Sequence, residues 1–227
     1  MTINEKHIED MVANYIKTGN LIAVGTSAMG RTFLKKLALA LEDDKIDLWD
    51  VSIVPTSFEL GSIASSLGIR IESINEREVD VAIEFADVVD RNYSYIKRDS
   101  MSLVRDKMIA QSAAILIVIA DENDFVRRLK GMVPFEVSVF GWKRTVNQLE
   151  AFGEANIRQE KGKPVKTESG NYLVDVNVDE IYDADELEYR SKEIPGVLES
   201  GLFIGYADRI ITHGGTHIKM KSRLEYK

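Results

Sequence analysis

The sequence predicts an α/β fold: a Rossmann-like, mostly parallel sheet domain with a smaller, ferredoxin-like α+β domain inserted into it. The first observation is a set of short, almost continuously apolar runs, such as Leu21–Val24 and Ala114–Ala120, which are typical of strands buried on both faces. The second is that strands and helices alternate up to residue 120, which indicates βαβ units and a parallel sheet. The third is a change to the order β-α-β-β-α-β after Asp121.

The first elements form a helix, a strand and a small-residue loop. Apolar residues between Ile3 and Ile16 recur with a helical period over residues 3–17, and Thr18-Gly19-Asn20 ends that helix. The strand Leu21–Val24 then leads through the loop Gly25–Thr32 into a helix from about Met29 to Leu41. Backbone N–H groups at such a helix start suit an anion such as phosphate, although a loop of this kind is more often only a tight turn.

The next strands end in polar residues. The predicted elements are a strand Val51–Pro55 followed by Thr56 and Ser57, a helix Phe58–Leu67 that stops at Gly68, a short strand Ile69–Ile71 and a strand Val79–Ile83. Glu84 and Asp87 follow that last strand, and a helix over about residues 100–114 is expected to begin with Asp99 or Ser100 as its N-cap. Ligands of open α/β sheets bind at the carboxyl ends of strands, so these polar residues form either a binding site or ordinary solvated loops.

The second half of the chain predicts the inserted domain. Its expected elements are a strand Val133–Phe140, a helix over residues 143–151, a strand Ala155–Glu160, a turn Lys161–Pro164, a strand Tyr172–Val176, a helix from Asp183 or Ala184 to Ser191 and a strand Val197–Phe203. A final strand, Arg209–Thr212, returns to the first sheet. We therefore expect an α/β catalytic domain over residues 1–132 and 205–227, and the ferredoxin-like domain over residues 133–204.

Composition excludes several functional classes. The 227 residues carry a formal net charge of −8, which argues against non-specific nucleic-acid binding. The absence of cysteine excludes disulfides and thiol nucleophiles and fits a cytoplasmic protein. No signal peptide is expected, and the longest apolar run, around Ala113–Ala120, is too short to span a membrane. The three histidines, among them His213 and His217, are expected at the surface or as caps, and they form no defensible metal-ligand set.

Several motifs occur in one collinear order along almost the whole chain. They are Gly25-Thr26-Ser27-Ala28-Met29 after the first strand, Thr56-Ser57 after the second, Glu84-Phe85-Ala86-Asp87, Lys97-Arg98-Asp99-Ser100, Arg105-Asp106-Lys107 in a helix, Lys130 followed by Pro134-Phe135-Glu136-Val137, and Gly170-Asn171 with Asp175. This series resembles the type A family of ribose-5-phosphate isomerases. That family shows Gly-Thr-Gly-Ser-Thr, Thr-Ser, Asp-Gly-Ala-Asp, Lys-Gly-Gly-Gly and a helix with a catalytic Glu and a Lys at the first five places.

The resemblance implies an aldose–ketose isomerase of the pentose phosphate pathway that interconverts ribose 5-phosphate and ribulose 5-phosphate through an enediolate. It places Asp106 as the base, Lys97 as the oxyanion-stabilising cation, and Glu84 and Asp87 in ring opening and hydroxyl binding. The positions that it assigns to phosphate and substrate binding are Gly25, Thr26, Ser27, Thr56, Ser57 and Lys130. No metal or organic cofactor is implied, and the family habit is a homodimer or homotetramer.

The chain also departs from the family pattern at the expected site. Asp106 stands for Glu, Glu84 stands for Asp, and Phe85 replaces a glycine where the backbone is expected to pass close to the sugar. Ala28-Met29 replaces Ser-Thr in the phosphate loop, and Arg31 or Arg98 is expected to compensate as a bidentate phosphate ligand. Two alternatives therefore stay open: an isomerase of a different phosphosugar, and a non-catalytic sugar-phosphate-binding module.

Overall fold

The computed structural model describes residues 10, 14–43, 48–214 and 217–223. The helix expected over residues 3–17 therefore lies mostly outside the described residues, as does the end of the basic tail. The described residues form two compact units. The first consists of the chain up to Phe85, Met108–Asp121 and the chain from Asp208, and the second of Ala86–Lys107 and Glu122–Ala207.

The elements of the first half alternate as the sequence predicts. In chain order they are β1 (Leu21–Val24), α1 (Ala28–Glu42), β2 (Ser52–Pro55), α2 (Phe58–Ser66), β3 (Arg70–Ile71), β4 (Val81–Phe85), β5 (Val88–Asp90), β6 (Tyr95–Ile96), α3 (Leu103–Ser112) and β7 (Ile115–Asp121).

The described residues of the second half form ten strands and two α-helices. After a short 3₁₀ helix (Glu122–Asp124) they are β8 (Phe125–Val126), β9 (Gly131–Val137), α4 (Trp142–Leu149), β10 (Glu154–Ile157), β11 (Gln159–Glu160), β12 (Lys163–Pro164), β13 (Tyr172–Val178), α5 (Ala184–Lys192), β14 (Val197–Ser200), β15 (Leu202–Phe203), β16 (Arg209–Gly214) and β17 (His217–Ser222).

The first unit is built on a seven-stranded sheet with the order β17-β16-β7-β4-β1-β2-β3. All neighbouring strands are parallel except β16 and β17, which pair antiparallel. All four residues of β1 are buried, as expected for a central strand that is covered on both faces. Helix α1 buries Phe33, Leu34 and Leu37 completely, and each contributes about 1.5–3 kcal/mol of transfer free energy. The predicted α/β class is confirmed.

The second unit contains the expected ferredoxin-like arrangement. Its four-stranded sheet has the order β10-β13-β9-β14 and is antiparallel throughout, and α4 and α5 follow β9 and β13 in the chain. The core of this unit includes the buried side chains of Phe135, Val174 and Leu187. A second small sheet, with the order β15-β6-β5-β8, also belongs to this unit. Residues 86–107 therefore pack with the second unit, although the expected domain boundaries placed them in the first domain, and that division into domains stays a prediction.

Several element boundaries differ from the expected ones, and two of them have a clear cause. Helix α3 begins at Leu103 because Ser102, not Asp99 or Ser100, is its cap: Ser102 Oγ accepts a hydrogen bond from the Arg105 N–H at 3.3 Å. The expected strand Val197–Phe203 is interrupted at Gly201. There the Gly201 N–H donates a hydrogen bond to the Pro134 carbonyl, and the Gly201 carbonyl accepts one from the Lys97 N–H. A Cβ on Gly201 would lie 2.6 Å from the Lys97 carbonyl oxygen, so the close approach of the two chain segments requires a glycine.

Candidate active site

The loop after β1 packs tightly within the first unit. The Gly25 N–H donates to the Ile83 carbonyl at 2.8 Å. A Cβ on Gly30 would lie 2.2 Å from the Gly25 carbonyl oxygen, so the first turn of α1 approaches this carbonyl as closely as only glycine allows. The expected loop thus exists, and it leads into α1 with exposed Ala28 and buried Met29 as the first two helical residues.

Four hydroxyl groups predicted to bind phosphate make defined contacts in the same unit. Thr56 Oγ1 donates its single proton to the Val24 carbonyl at 2.8 Å. The hydroxyl of Thr26 lies 2.9 Å from that of Thr56, and Thr26 is therefore the donor in this contact. Ser27 caps α1 by accepting from the Gly30 N–H at 2.9 Å, and Ser57 caps α2 by accepting from Leu60 at 3.3 Å. Two capped helix N-termini therefore follow two neighbouring parallel strands, an arrangement that favours an anion.

Glu84 extends into the space that Gly25 leaves empty. A Cβ on Gly25 would lie 1.5 Å from Glu84 Oε1, so the longer carboxylate at position 84 depends on a glycine at position 25. The ring of Phe85 is buried in the hydrophobic core of the first unit, because successive side chains of a strand point to opposite faces and Phe85 therefore points away from the face of β4 that carries Glu84. That the backbone at position 85 passes close to the sugar stays a prediction.

Arg31 lies in the first turn of α1, and its side chain contacts a carboxylate. Its guanidinium forms an ion pair with Glu59 at 3.1 Å, and the two side chains are 40% and 51% exposed. Such exposed pairs contribute little to stability, so Arg31 is not held rigidly in this pair. Its role in phosphate binding stays a prediction.

In the second unit, Lys97 and Asp106 form a fully buried ion pair. Lys97 Nζ lies 3.2 Å from Asp106 Oδ2, and each side chain is 1% exposed. Ser100 Oγ donates to the same carboxylate oxygen at 2.6 Å. The other oxygen, Asp106 Oδ1, is buried and accepts no hydrogen bond from any described residue. Burying a charge costs folding free energy unless its polar atoms are paired. An ion pair in which one carboxylate oxygen has no donor among the described residues is therefore better explained by a catalytic role than by a stabilising one.

Asp87 and Arg98 organise the backbone of the same unit. Asp87 Oδ2 accepts a hydrogen bond from the Arg98 N–H at 2.7 Å. The guanidinium of Arg98 donates to the Met132 carbonyl at 3.0 Å and to the Lys130 carbonyl at 3.4 Å. Arg98 therefore holds the segment that carries Lys130, whose own side chain is exposed. Its expected role as a phosphate ligand stays a prediction.

Arg98 and Lys130 also line a cavity of about 360 Å³ within the second unit. Its walls include the carboxylates of Asp124 and Asp179. Two cationic and two anionic side chains thus border the same space, so this cavity alone is not selective for an anion.

Sequence reasoning assigned no role to Glu136, which is completely buried. Its carboxylate accepts hydrogen bonds from Ser102 Oγ at 3.1 Å, the Val104 N–H at 3.1 Å, Thr167 Oγ1 at 2.8 Å and Asn171 Nδ2 at 2.9 Å. Two of these donors belong to the start of α3, the helix that carries Asp106. Glu136 therefore fixes the position of this helix start. The sequence signals that could have indicated this role are the two motifs that contain Glu136 and Gly170-Asn171.

Lys107, the neighbour of Asp106 in the chain, belongs to a separate charge cluster. Its buried ammonium lies 2.7 Å from Glu188 Oε1 and 3.0 Å from Glu199 Oε1. Burial alone would raise the pKa of Glu199, but the charge of Lys107 and a hydrogen bond from Lys192 hold this pKa below its ordinary value of 4.5. Lys107 thus stabilises the second unit through these two carboxylates.

No cluster of metal ligands occurs in the part of the chain that the structure describes. His213 lies in β16 and is buried, so its expected surface position is wrong, whereas His7 and the side chain of His217 lie outside the described residues. Among the described helices, none is long and apolar enough to cross a membrane.

The α/β fold and the buried carboxylate–ammonium pair are the features expected of an enzyme that transfers protons. The chain belongs to the family described as ribose 5-phosphate isomerase A (phosphoriboisomerase A), whose model matches residues 52–216. It is 34% identical over 209 residues to the ribose-5-phosphate isomerase A of Methanothermobacter thermautotrophicus, covering 90% of this chain and 91% of that protein. It is 33% identical to the Listeria monocytogenes protein of the same name, with 92% and 94% coverage.

Solved structures agree with this assignment. A D-ribose-5-phosphate isomerase in complex with phospho-erythronic acid superimposes with a TM-score of 0.88 at 31% identity, over 97% of this chain and 100% of that one. The ribose 5-phosphate isomerase A of Methanocaldococcus jannaschii gives a TM-score of 0.86 at 28% identity, over 96% and 98%. The predicted family and fold are therefore confirmed.

Proposed function

We propose that this protein interconverts ribose 5-phosphate and ribulose 5-phosphate by proton transfer through an enediolate. The observation that carries the proposal is the buried Lys97–Asp106 pair, whose oxygen Oδ1 has no donor among the described residues, in a chain of the ribose 5-phosphate isomerase A family. Relatives of similar length bear the name of this activity. One similar structure is a complex with phospho-erythronic acid, a phosphorylated sugar acid, which supports a phosphosugar substrate.

In the proposed reaction Asp106 removes the proton from C2 of the open-chain aldose. The electron pair of the broken C2–H bond forms the C1–C2 double bond, and the carbonyl electrons move to O1. The ammonium of Lys97 stabilises the resulting enediolate, and loss of one such donor typically costs about 10²–10³-fold in rate. Asp106 then returns the proton to C1, O2 becomes the ketone oxygen, and the O2 proton passes to O1. The substrate carbonyl is the electron sink, so the proposal needs no cofactor.

The remaining roles follow from the chemistry of the side chains. We assign Glu84 and Asp87 to ring opening and hydroxyl binding, because both are carboxylates next to the end of β4. The phosphate is assigned to the Gly25–Ser27 loop with Thr56 and Ser57, where two helix N-termini offer backbone N–H groups, and to the exposed ammonium of Lys130. A place in the pentose phosphate pathway and a homodimer or homotetramer are predictions that rest on the family resemblance, and a cytoplasmic location is a prediction that rests on the absence of cysteine.

The test is direct turnover of ribose 5-phosphate by the purified protein in the presence of a chelator. Asp106→Asn and Lys97→Ala are compared with Asp185→Asn and Lys143→Ala, which make the same changes at exposed positions of α5 and α4. We expect the wild type and both controls to turn over, and the Asp106 variant to lose about 10²–10⁴-fold, the usual contribution of a general base.

A folded wild-type protein without turnover would overturn the proposal. Conversion of another aldose phosphate would then support an isomerase of a different phosphosugar. Binding of ribose 5-phosphate without turnover of any aldose phosphate would support a binding module.

A further inference from the structure

The Ser100 hydroxyl is held in one orientation. Ser100 is buried, and its Oγ accepts a hydrogen bond from the Ser102 N–H at 3.1 Å. The same Oγ lies 2.6 Å from Asp106 Oδ2, and a carboxylate oxygen can only accept. The single hydroxyl proton therefore points at Asp106, and the backbone N–H behind it keeps the hydroxyl from turning away.

The two oxygens of the Asp106 carboxylate are consequently not equivalent. Oδ2 accepts from the Ser100 hydroxyl and lies 3.2 Å from the Lys97 ammonium. Oδ1 is just as buried, but no described residue donates to it. Two donors on one oxygen fix the rotation of the carboxylate, because any turn about the Cβ–Cγ bond would break both contacts.

We infer that Ser100 is a positioning residue that fixes Asp106 so that Oδ1 is the atom that takes the C2 proton; this inference rests on the proposed isomerase function. Proton uptake on Oδ1 makes Oδ2 the carbonyl oxygen of a carboxylic acid, and a carbonyl oxygen still accepts both hydrogen bonds. The donors therefore need no rearrangement during the proton transfer, which is the advantage of a preorganised site.

The same geometry explains why a serine accompanies an aspartate in this chain. The family pattern described above has glycine at the position of Ser100 and glutamate at the position of Asp106. Glycine offers no side-chain donor, and glutamate is one methylene longer. Here the shorter carboxylate is reached by a hydroxyl at position 100, so we expect the two residues to be energetically coupled.

The experiment compares the wild type with Ser100→Gly, Asp106→Glu and the double variant, using ribose 5-phosphate. A hydrogen bond to a charged group contributes more free energy than one between neutral groups, so we expect its loss in Ser100→Gly to lower kcat by about 10- to 100-fold. We expect KM to change little, and the isotope effect of C2-deuterated substrate to rise as proton transfer becomes rate-limiting. The double variant, which restores the family pair, should lose clearly less than the product of the two single losses.

Two further variants separate positioning from folding. Ser100→Thr keeps the hydroxyl and should retain most of the activity, whereas Ser191→Ala removes a buried hydroxyl on α5 and should leave kcat unchanged. Wild-type kcat in Ser100→Gly, or single losses that simply multiply in the double variant, would overturn the inference while leaving the isomerase function intact. Failure of the wild type itself to turn over would instead reject the proposed function, and the inference with it.

Discussion

Replacing Lys97 by methionine should destabilise the protein strongly, because Ser100 is then the one donor side chain that the described residues offer to the buried Asp106 carboxylate. The ammonium lies 3.2 Å from the carboxylate and both side chains are 1% exposed, so water cannot compensate for the lost charge. Removing one partner of a buried pair costs about 3–5 kcal/mol. For a protein of this size that corresponds to a fall of about 10 °C in the unfolding midpoint.

The matched control is the double variant Lys97→Met with Asp106→Leu, in which neither charge is buried. Apolar replacement of a whole buried pair is often neutral or stabilising, so we expect the double variant to recover most of the lost stability. Both variants should lack turnover. The assay is urea or thermal unfolding followed by circular dichroism, together with turnover of ribose 5-phosphate. A single variant as stable as the wild type, or a double variant no more stable than the single one, would refute the reasoning.

Three further predictions follow from other contacts. Gly25→Ala places a Cβ 1.5 Å from Glu84 Oε1, so turnover should fall and the free energy of unfolding should drop by about 1–3 kcal/mol. Adding Glu84→Asp, which shortens the carboxylate, should restore part of both losses. Equal losses from Gly25→Ala with Glu84 and with Asp at position 84 would contradict this. Glu136→Gln replaces one of the two carboxylate oxygens, which together accept four hydrogen bonds, by an NH₂ group that can only donate. Urea unfolding should therefore show a free energy of unfolding lower by about 1–3 kcal/mol. Because the folded-state pKa of Glu199 lies below its ordinary 4.5, its stabilising effect is present above that pH and lost as the pH falls through the folded value. Wild type should therefore exceed Glu199→Gln in stability at pH 7 but not in acid, and a difference independent of pH would speak against the Lys107 contact.

Strong local patterns made the two main sheets predictable. The apolar run that became β1 has no solvated face, and the order of elements after Asp121 was that of a ferredoxin-like unit. The small sheet β15-β6-β5-β8 was not predictable in the same way. Its strands have two or three residues, too few to show a period, so residues 86–107 were expected to belong with the first sheet.

The residues of the candidate site likewise fall into those that a local motif predicts and those that it does not. Lys97 and Asp106 were found because each lies in a motif, and the structure brings their side chains together. The sequence marks Ser100 only as a candidate N-cap and as a departure from glycine, since nothing local tells a loop serine which way its hydroxyl points. Glu136 lies 31 and 35 residues from two of its donors, Thr167 and Asn171, and contacts at such separation leave no periodic trace in a sequence.

Three of the departures from the family pattern, those at positions 84, 85 and 106, are each matched by a contact inside one unit. Phe85 packs into the core, the longer Glu84 fills the space beside Gly25, and Ser100 donates to the shorter Asp106. A protein that had lost its chemistry would gain nothing from a hydroxyl that holds a buried carboxylate in place. Apolar residues at positions 97 and 106 would serve folding at least as well, because a buried ion pair rarely repays its desolvation. The buried pair, with one carboxylate oxygen left without a donor among the described residues, therefore favours a remodelled isomerase over a binding module.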